Sequence, residues 1–305
     1  MSHHDHSHAD GSTNRNRLGW AIAIIGFVLV VEIIGAALTS SLALIADAGH
    51  MASDLIGLVI ALVATIIALR PATDRHTYGF QRVEVFAALI NGLILLGVAS
   101  YVAVEGFSRL LDPVPTPIPP VLLLSVGVIG LAANFGALML LRSGAKTSIN
   151  LRGAYLEVFG DLLGSLAVII AAVVILLTGF LQADAIASLV IAAMIIPRAL
   201  SLLRDVVRVL GQQTPADTDV AKIREHILAT PGVLDVHDVH VWAVTTGRHI
   251  FSAHVVVETE VFQRCEADRL LDELSGCLSE HFDVAHSTFQ LEPQEHAQHE
   301  DHQHP

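Results

Sequence analysis

The sequence predicts an α-helical membrane protein in which six transmembrane helices are followed by a small α+β domain. Hydrophobic types make up 53% of the 305 residues and charged types 15%, whereas about 25% of the residues of an average soluble domain are charged. The order along the chain indicates the same architecture. Six apolar stretches, each near the roughly 20 residues that a bilayer requires, come first, and a polar, acidic part follows them.

The apolar stretches are separated by short connections that contain turn or breaker residues. They cover residues 18–38, 41–69, 83–108, 118–142, 153–178 and 181–203. Lysine and arginine accumulate before the first stretch and after the second, fourth and sixth, whereas the alternate connections contain only Arg109. By the positive-inside rule, we expect a multi-pass protein of the cell inner (plasma) membrane with both termini in the cytoplasm.

The polar part has the element order αββαβ. Thr214 and Pro215 resemble a helix N-cap with a first-turn proline, and a helical stripe of apolar residues follows. Residues 233–244 and 249–258 are rich in β-branched types and flank a hairpin signal. A second amphipathic helix and a third strand over 284–291 complete the order. We therefore expect a cytoplasmic, ferredoxin-like α+β domain with an antiparallel sheet that helices cover on one face.

Four segments follow from this organisation. They are a disordered His-rich tail (1–17), a transmembrane transport domain (18–208), a cytoplasmic metal-binding and dimerisation domain (209–292) and a second disordered His-rich tail (293–305). The tails are polar and low in complexity, so they cannot bury a core. The net charge of −13 argues against a nucleic-acid partner, because an acidic protein releases no counterions from DNA. The two cysteines predict no disulfide framework.

Ionisable residues within a membrane span are expensive and usually functional. His50 and Asp54 lie in the second stretch, and Glu157 and Asp161 lie in the fifth. The i,i+4 spacing places each pair on one helix face, about 6 Å apart along the axis. One imidazole and three carboxylates suit a tetrahedral divalent ion such as Zn²⁺. Asp47 is a reserve ligand or an entrance group.

The alternative for these four residues is that they pair with each other or with the backbone. Their depths also differ, since the assigned span ends place the two pairs about 10 Å apart at 1.5 Å per residue. A bound dication would offset most of the carboxylate charge. Because ligands must be deprotonated to bind metal, protons are expected to replace the departing ion. His50 is the expected proton carrier, since the reference pKa of imidazole lies nearest neutrality.

The residues around both pairs resemble the cation diffusion facilitator family of divalent-metal/proton antiporters. The resemblance is carried by SLALIADAGHMASD (41–54), YGFQRVE (78–84), NLRGAY (150–155) and HDVHVW (237–242). It implies a homodimer whose cytoplasmic domains meet, alternating access to a midplane site, and proton-driven export. The site that it implies contains His50, Asp54 and Asp161.

Glu157 departs from the family pattern, because zinc transporters of this family usually have histidine at that position. A carboxylate is a harder ligand than imidazole, which favours Mn²⁺, Fe²⁺, Co²⁺ or Cd²⁺ as substrate, or a looser preference for zinc. We expect Zn²⁺ as the main substrate. The connection between the second and third spans holds a second metal site in some members. In this chain His76 and Asp74 are the only potential ligands in that connection, so a solvated loop is expected.

Histidines of the predicted hairpin suggest a cytoplasmic metal site. If the hairpin is centred on Gly247, His240 and His254 face each other, with Cβ atoms about 4.5–5.5 Å apart. His286 at the start of the third strand could join them, as could His237 or Asp238. The alternative is that these are ordinary solvent-facing histidines. Metal binding there would neutralise the acidic domains and let two copies close.

The sequence therefore predicts a transporter that exports a divalent metal ion in exchange for protons, with the ion as substrate rather than cofactor. The protein makes no covalent bond and is not expected to be an enzyme. An intramembrane metallohydrolase would need an open coordination position, and the sequence contains no His-Glu-x-x-His motif. A membrane-anchored metal sensor is the other alternative, although six spans with buried ligands exceed what an anchor needs.

Overall fold

The structure, a computed structural model, describes residues 8–112, 118–142, 149–245, 247–281 and 284–297. Its first part consists of six long helices, which confirms the predicted fold class. They are α1 (His8–Thr39), α2 (Leu42–Ala68), α3 (Arg82–Leu111), α4 (Pro120–Arg142), α5 (Ile149–Thr178) and α6 (Gln182–Leu210). Each contains a segment that is long and apolar enough to cross a membrane.

Helix α1 begins at His8, well before its apolar segment. The prediction of a disordered tail over 1–17 is therefore wrong for residues 8–17, and residues 1–7 lie outside the described part. Extending an existing helix costs far less than nucleating one, so a polar segment can continue an apolar helix. At the other end, the short helix α10 (Gln294–Ala297) occupies the beginning of the predicted C-terminal tail, and residues 298–305 also lie outside the described part.

The bundle has apolar side chains on its outside and several polar side chains inside. Leu62, Val104 and Leu177 are among the large apolar residues that are mostly exposed, whereas Glu32 and Asn134 are buried. This distribution is the one that a lipid environment favours, because ionisable groups in spans face the bundle interior. Alanines dominate the core between the helices, and such small residues let helix backbones approach closely.

Helix α2 begins beside the first turn of α6, where Asp184 acts as its cap. The Asp184 carboxylate accepts a hydrogen bond from the Ser41 hydroxyl and further bonds from the backbone N–H groups of Leu42 (2.7 Å) and Ala43 (3.3 Å). These are N–H groups that a helix start leaves without an intrahelical partner. The chain reaches this point through Ser40, whose φ of 54° turns it sharply after α1.

The C-terminal domain follows the predicted αββαβ order with one additional short helix. Its elements are α7 (Val220–Leu228), β1 (Val233–Thr245), β2 (Arg248–Val257), α8 (Thr259–Gln263), α9 (Ala267–His281) and β3 (Val284–Pro293). The N-cap of α7 is Asp219, which accepts from the N–H groups of Ala221 and Lys222. The assignment of this cap to Thr214 was wrong by five residues.

The sheet has the order β1-β2-β3, and its β2–β3 pair is parallel. The expectation of a fully antiparallel sheet was therefore wrong. Helix α9 lies between β2 and β3 in the chain and carries it back to the end of the sheet from which β2 started, so β3 runs in the same direction. Apolar residues of α7 and α9, among them Ile223 and Leu274, form one core with Phe251 of β2.

Candidate metal sites

The predicted transmembrane residues meet around His50, whose ring lies between two carboxylates. Its Nδ1 is 3.5 Å from Asp54 Oδ2 on the same helix, and its Nε2 is 3.7 Å from Asp161 Oδ1 on α5. The expected depth difference of about 10 Å does not separate them.

Glu157 reaches this group from the neighbouring turn of α5, and its carboxylate is bound by an arginine. Arg198 Nη2 of α6 donates to Glu157 Oε1 at 2.5 Å. Arg198 Nη1 lies 3.9 Å from Asp54 Oδ2 and 3.5 Å from His50 Nε2. The structure thus brings all four predicted residues together and adds a cation to them.

The sequence analysis did not identify Arg198 as a site residue. The signal was present, since Arg198 lies inside the apolar stretch 181–203 and directly follows Pro197. An arginine in a span normally faces a partner or a water-filled cavity. The residue was missed because basic residues were considered only at the ends of this stretch, where they report orientation.

A cavity of about 610 Å³ gives access to the group. Asp54, Glu157, Asp161 and Arg198 line it together with apolar residues such as Met51. The exposed fraction of the side chain falls from 35% at Glu157 through 19% at Asp54 to 3% at Asp161. A cation that enters the cavity would therefore meet Glu157 before Asp161.

Further polar side chains lie in the bundle interior next to the ligand helices. The Asp47 carboxylate packs against Gly164 of α5, where a Cβ atom would stand 2.5 Å from Asp47 Oδ1. Asn134 Nδ2 donates to Ser165 Oγ at 3.3 Å, and Glu32 lies beside Gly130. Glu32, Asp47 and Asn134 are all buried. Asp47 therefore belongs to a polar interior that continues beyond the cavity, and its use as a reserve ligand stays a prediction.

A second cluster lies in the C-terminal domain and consists of His237, His254 and Glu292. Glu292 Oε1 is 3.4 Å from His237 Nε2 and 3.2 Å from His254 Nδ1. Within the part of the chain that the structure describes, this is the one group of three or more His, Cys, Asp or Glu residues whose ligand atoms all lie within 4.8 Å of one another. His296 Nε2 lies 3.9 Å from Glu292 Oε2. Two imidazoles and a carboxylate are typical zinc ligands.

The residues of this cluster differ from the predicted set. His240 pairs with Ser252, and His237 pairs with His254. The register changes between His237 and His240, where Asp238 adopts a φ of 49°, so the hairpin is not symmetric about Gly247. A bulge of this kind moves every later residue to a different partner. The prediction that His240 faces His254 was therefore wrong.

The third strand also changes the expected ligands. His286 is exposed and pairs with Ile250, so it does not join His254. Glu292 was missed because the strand was expected to end at residue 291 and to run antiparallel. In the parallel register Glu292 stands opposite Val256, and its buried carboxylate reaches both histidines.

The connection between α2 and α3 provides no comparable cluster among its described residues. His76 is exposed, and its ring stacks on Phe80 with a centroid distance of 4.5 Å. The backbone of Thr73 and that of His76 pair in a short bridge. This geometry is that of the solvated turn that the sequence predicted.

Comparison with known proteins gives the family. The family model described as the cation efflux transmembrane domain matches residues 19–210, and that described as the cation efflux protein, cytoplasmic domain, matches residues 215–294. The metal cation efflux system protein CzcD of Cupriavidus metallidurans is 42% identical over 289 residues, which cover 95% of this chain and 89% of that protein.

Two further relatives have comparable coverage. The cadmium, cobalt and zinc/H(+)-K(+) antiporter of Bacillus subtilis is 35% identical over 95% of this chain and 93% of its own. The zinc transporter ZitB of Escherichia coli is 36% identical over 95% of this chain and 91% of its own. A solved metal-bound C-terminal domain of the CzcD transporter from Cuprividus metallidurans is 43% identical, covers 25% of this chain and 99% of that structure, and has a TM-score of 0.22.

The two matched domains follow each other as the six long helices and the C-terminal sheet do, and the relatives align over nearly the whole chain. The chain is thus a multi-pass membrane protein that belongs to the cation efflux family of metal cation transporters, the cation diffusion facilitators.

Proposed function

We propose that this protein exports a divalent metal ion, chiefly Zn²⁺, from the cytoplasm in exchange for protons. The observation that carries the proposal is the meeting of His50, Asp54 and Asp161 from two helices inside the bundle, where Asp54 and Asp161 line one cavity. A nitrogen and several carboxylate oxygens suit Zn²⁺ and related divalent ions. The relatives named for zinc, and for cadmium and cobalt, support the same range of substrates.

In this proposal His50, Asp54 and Asp161 hold the ion and Glu157 meets it at the mouth of the cavity. Proton exchange follows from the chemistry of these metal ligands, because both imidazole and carboxylate must lose their protons to bind a metal. His50 carries a proton in the opposite direction when the ion has left. The ion is the cargo of the protein and not a resident cofactor. Cd²⁺, Co²⁺, Mn²⁺ and Fe²⁺ are the alternative substrates, since Glu157 is a harder ligand than histidine.

The proposed setting is the cell inner membrane, with both termini and the C-terminal domain in the cytoplasm. The distribution of lysine and arginine supports this orientation. The match to the cytoplasmic domain of cation efflux proteins supports it as well. We further propose that two chains form a homodimer through this domain. A dimer would place two copies of the histidine cluster near each other.

Transport can be tested in proteoliposomes that contain a metal-sensitive dye. Initial rates across a panel of divalent ions, with and without a pH gradient, give the substrate and the coupling. Asp54→Asn keeps the size of the side chain but removes its charge, and we expect the flux to fall to the background of protein-free vesicles. Glu105→Gln is the control, because Glu105 is a carboxylate of α3 that pairs with Arg109 of its own helix. Equal flux in wild type and Asp54→Asn would refute the proposed site.

The cluster of His237, His254 and Glu292 favours a second role, in which the C-terminal domain senses the metal. Binding would remove negative charge from an acidic domain and stabilise its closed dimer. A protein that only sensed metal would show zinc-dependent compaction in small-angle scattering and no flux in the vesicle assay. Flux without compaction would leave transport standing and contradict the sensor.

A further inference from the structure

The transmembrane site contains a cation of its own, the guanidinium group of Arg198. It contacts groups from two other helices: Glu157 Oε1 at 2.5 Å, His50 Nε2 at 3.5 Å and Asp54 Oδ2 at 3.9 Å. A guanidinium is always charged, has five donors and has no acceptor. The oxygens of Glu157 and Asp54 therefore direct lone pairs toward Arg198, as does His50 Nε2 in the tautomer that carries its proton on Nδ1, and a metal ion would use the same lone pairs.

We propose that Arg198 is a tethered competitor of the transported metal ion, which shares Asp54 and Glu157 with it and thereby limits how tightly the site holds the ion. This inference rests on the proposed function of the site. A transporter must release the ion that it binds, and an ion would dissociate slowly from a site that contained only metal ligands. An internal cation that regains the same carboxylates when the ion departs stabilises the empty site and speeds release.

The charges of the site agree with this role. Asp54, Glu157 and Asp161 carry a formal charge of −3 when ionised, and Arg198 reduces it to −2. A divalent ion then brings the group to neutrality, which is the cheapest state for a site surrounded by apolar helices. Without Arg198 the empty site would carry −3 instead of −2, so it would attract a divalent ion more strongly and release it more slowly.

The surroundings leave Arg198 room to withdraw. Its side chain is 48% exposed and lines the same cavity as Asp54 and Glu157. Asp161 differs from these two residues, because it is 3% exposed and its partner is His50 rather than the arginine. An ion that enters the cavity therefore meets the carboxylates that Arg198 contacts first, and it must displace the guanidinium from Glu157 and Asp54 before it reaches His50 and Asp161.

Arg198 could instead only join helices, and kinetics separate the two roles. An arginine that merely holds α6 against α5 would, when replaced, disturb the ligands and raise the metal concentration that gives half-maximal rate. A competitor would, when replaced, lower that concentration and slow the maximal rate, because the ion binds more tightly and leaves more slowly.

The experiment measures initial rates of zinc flux into proteoliposomes for wild type, Arg198→Gln and Arg198→Lys. For Arg198→Gln we expect KM and the maximal rate each to fall about tenfold, a change that corresponds to about 1.4 kcal/mol. Lysine keeps the charge but cannot form the two-pronged contact, so Arg198→Lys should lower KM about threefold even if the glutamine variant does not fold. Arg109→Gln is the control, since Arg109 pairs with Glu105 of its own helix, and we expect its KM to match that of wild type.

An unchanged or raised KM in folded Arg198→Gln or Arg198→Lys would overturn the inference. Asp54→Asn, measured in parallel, keeps this failure distinct from failure of the proposed function. If Asp54→Asn carries no flux while KM is insensitive to residue 198, the transport site stands and only the competitor is lost. If Asp54→Asn transports like wild type, the site itself is wrong.

Discussion

Helix α5 contains two glycines, Gly160 and Gly164, for which the structure predicts opposite responses to the same substitution. A Cβ atom at Gly164 would stand 2.5 Å from Asp47 Oδ1 and 3.0 Å from its carboxyl carbon, whereas at Gly160 nothing lies within 4 Å. Both residues lie on the same helix, and they are one turn apart. Their sequence pattern alone, two small residues separated by three, assigns both to helix packing.

The expected energies follow from two opposing effects. Alanine in place of glycine stabilises a helix by about 1 kcal/mol, and this gain applies at both positions. Overpacking a filled site costs about 1 to 3 kcal/mol, and this cost applies at Gly164 alone, since buried Asp47 must move. Gly160→Ala should thus be slightly more stable than wild type, and Gly164→Ala should be less stable than Gly160→Ala by about 1 to 3 kcal/mol.

Thermal unfolding of the detergent-solubilised protein, followed by tryptophan fluorescence, measures this difference. A chain segment of this size shifts its Tm by roughly 2 to 4 °C for each kcal/mol, so the two variants should differ by several degrees. Zinc flux should also fall in Gly164→Ala, because Asp47 precedes His50 by one turn of α2. Equal Tm values for the two alanine variants would show that Asp47 does not occupy the space beside Gly164.

Two further substitutions test the other contacts. Asp184→Ala removes the acceptor of three hydrogen bonds at the start of α2. Each donor that is left unsatisfied costs about 1 to 3 kcal/mol, so we expect a large decrease in Tm. Asp184→Asn keeps an acceptor oxygen and should lose less stability than Asp184→Ala. In the C-terminal domain, His254→Ala should reduce the zinc bound per chain by one ion in equilibrium dialysis, whereas His240→Ala should leave it unchanged; the reverse result would restore the symmetric hairpin.

The spans and their ligand pairs could be predicted because both depend on local periodicity. Length and hydropathy define a transmembrane helix, and the i,i+4 spacing defines a face. The predicted pairs His50–Asp54 and Glu157–Asp161 therefore stand on helices, as expected. The partner of these pairs could not be obtained in the same way, because Arg198 is a single residue without a repeating pattern. The one sequence signal for Arg198 is that a charged residue inside an apolar stretch is energetically costly and therefore usually functional.

The C-terminal cluster shows a second limit of sequence reasoning. The strands were predicted from their β-branched residues, but the opposition of His237 and His254 depends on a bulge at Asp238, where one residue adopts a left-handed conformation. Aspartate tolerates that conformation without requiring it, so no sequence rule placed the bulge. Glu292 depends on the crossover through α9, which decides the direction of β3. The strand pairing that brings these three residues together therefore depends on the tertiary structure and not on local sequence.

Glu157 affects both the metal selectivity and the charge of the proposed transport site. Histidine at this position would provide a softer ligand for zinc, but it would also leave Arg198 without its 2.5 Å partner. Breaking a partly buried ion pair on one side costs more than replacing both members. We therefore expect Glu157→His alone to transport every metal poorly. Glu157→His combined with Arg198→Gln should recover flux and favour zinc over manganese. A single Glu157→His variant that already transports zinc well would mean that Arg198 and Glu157 do not depend on each other.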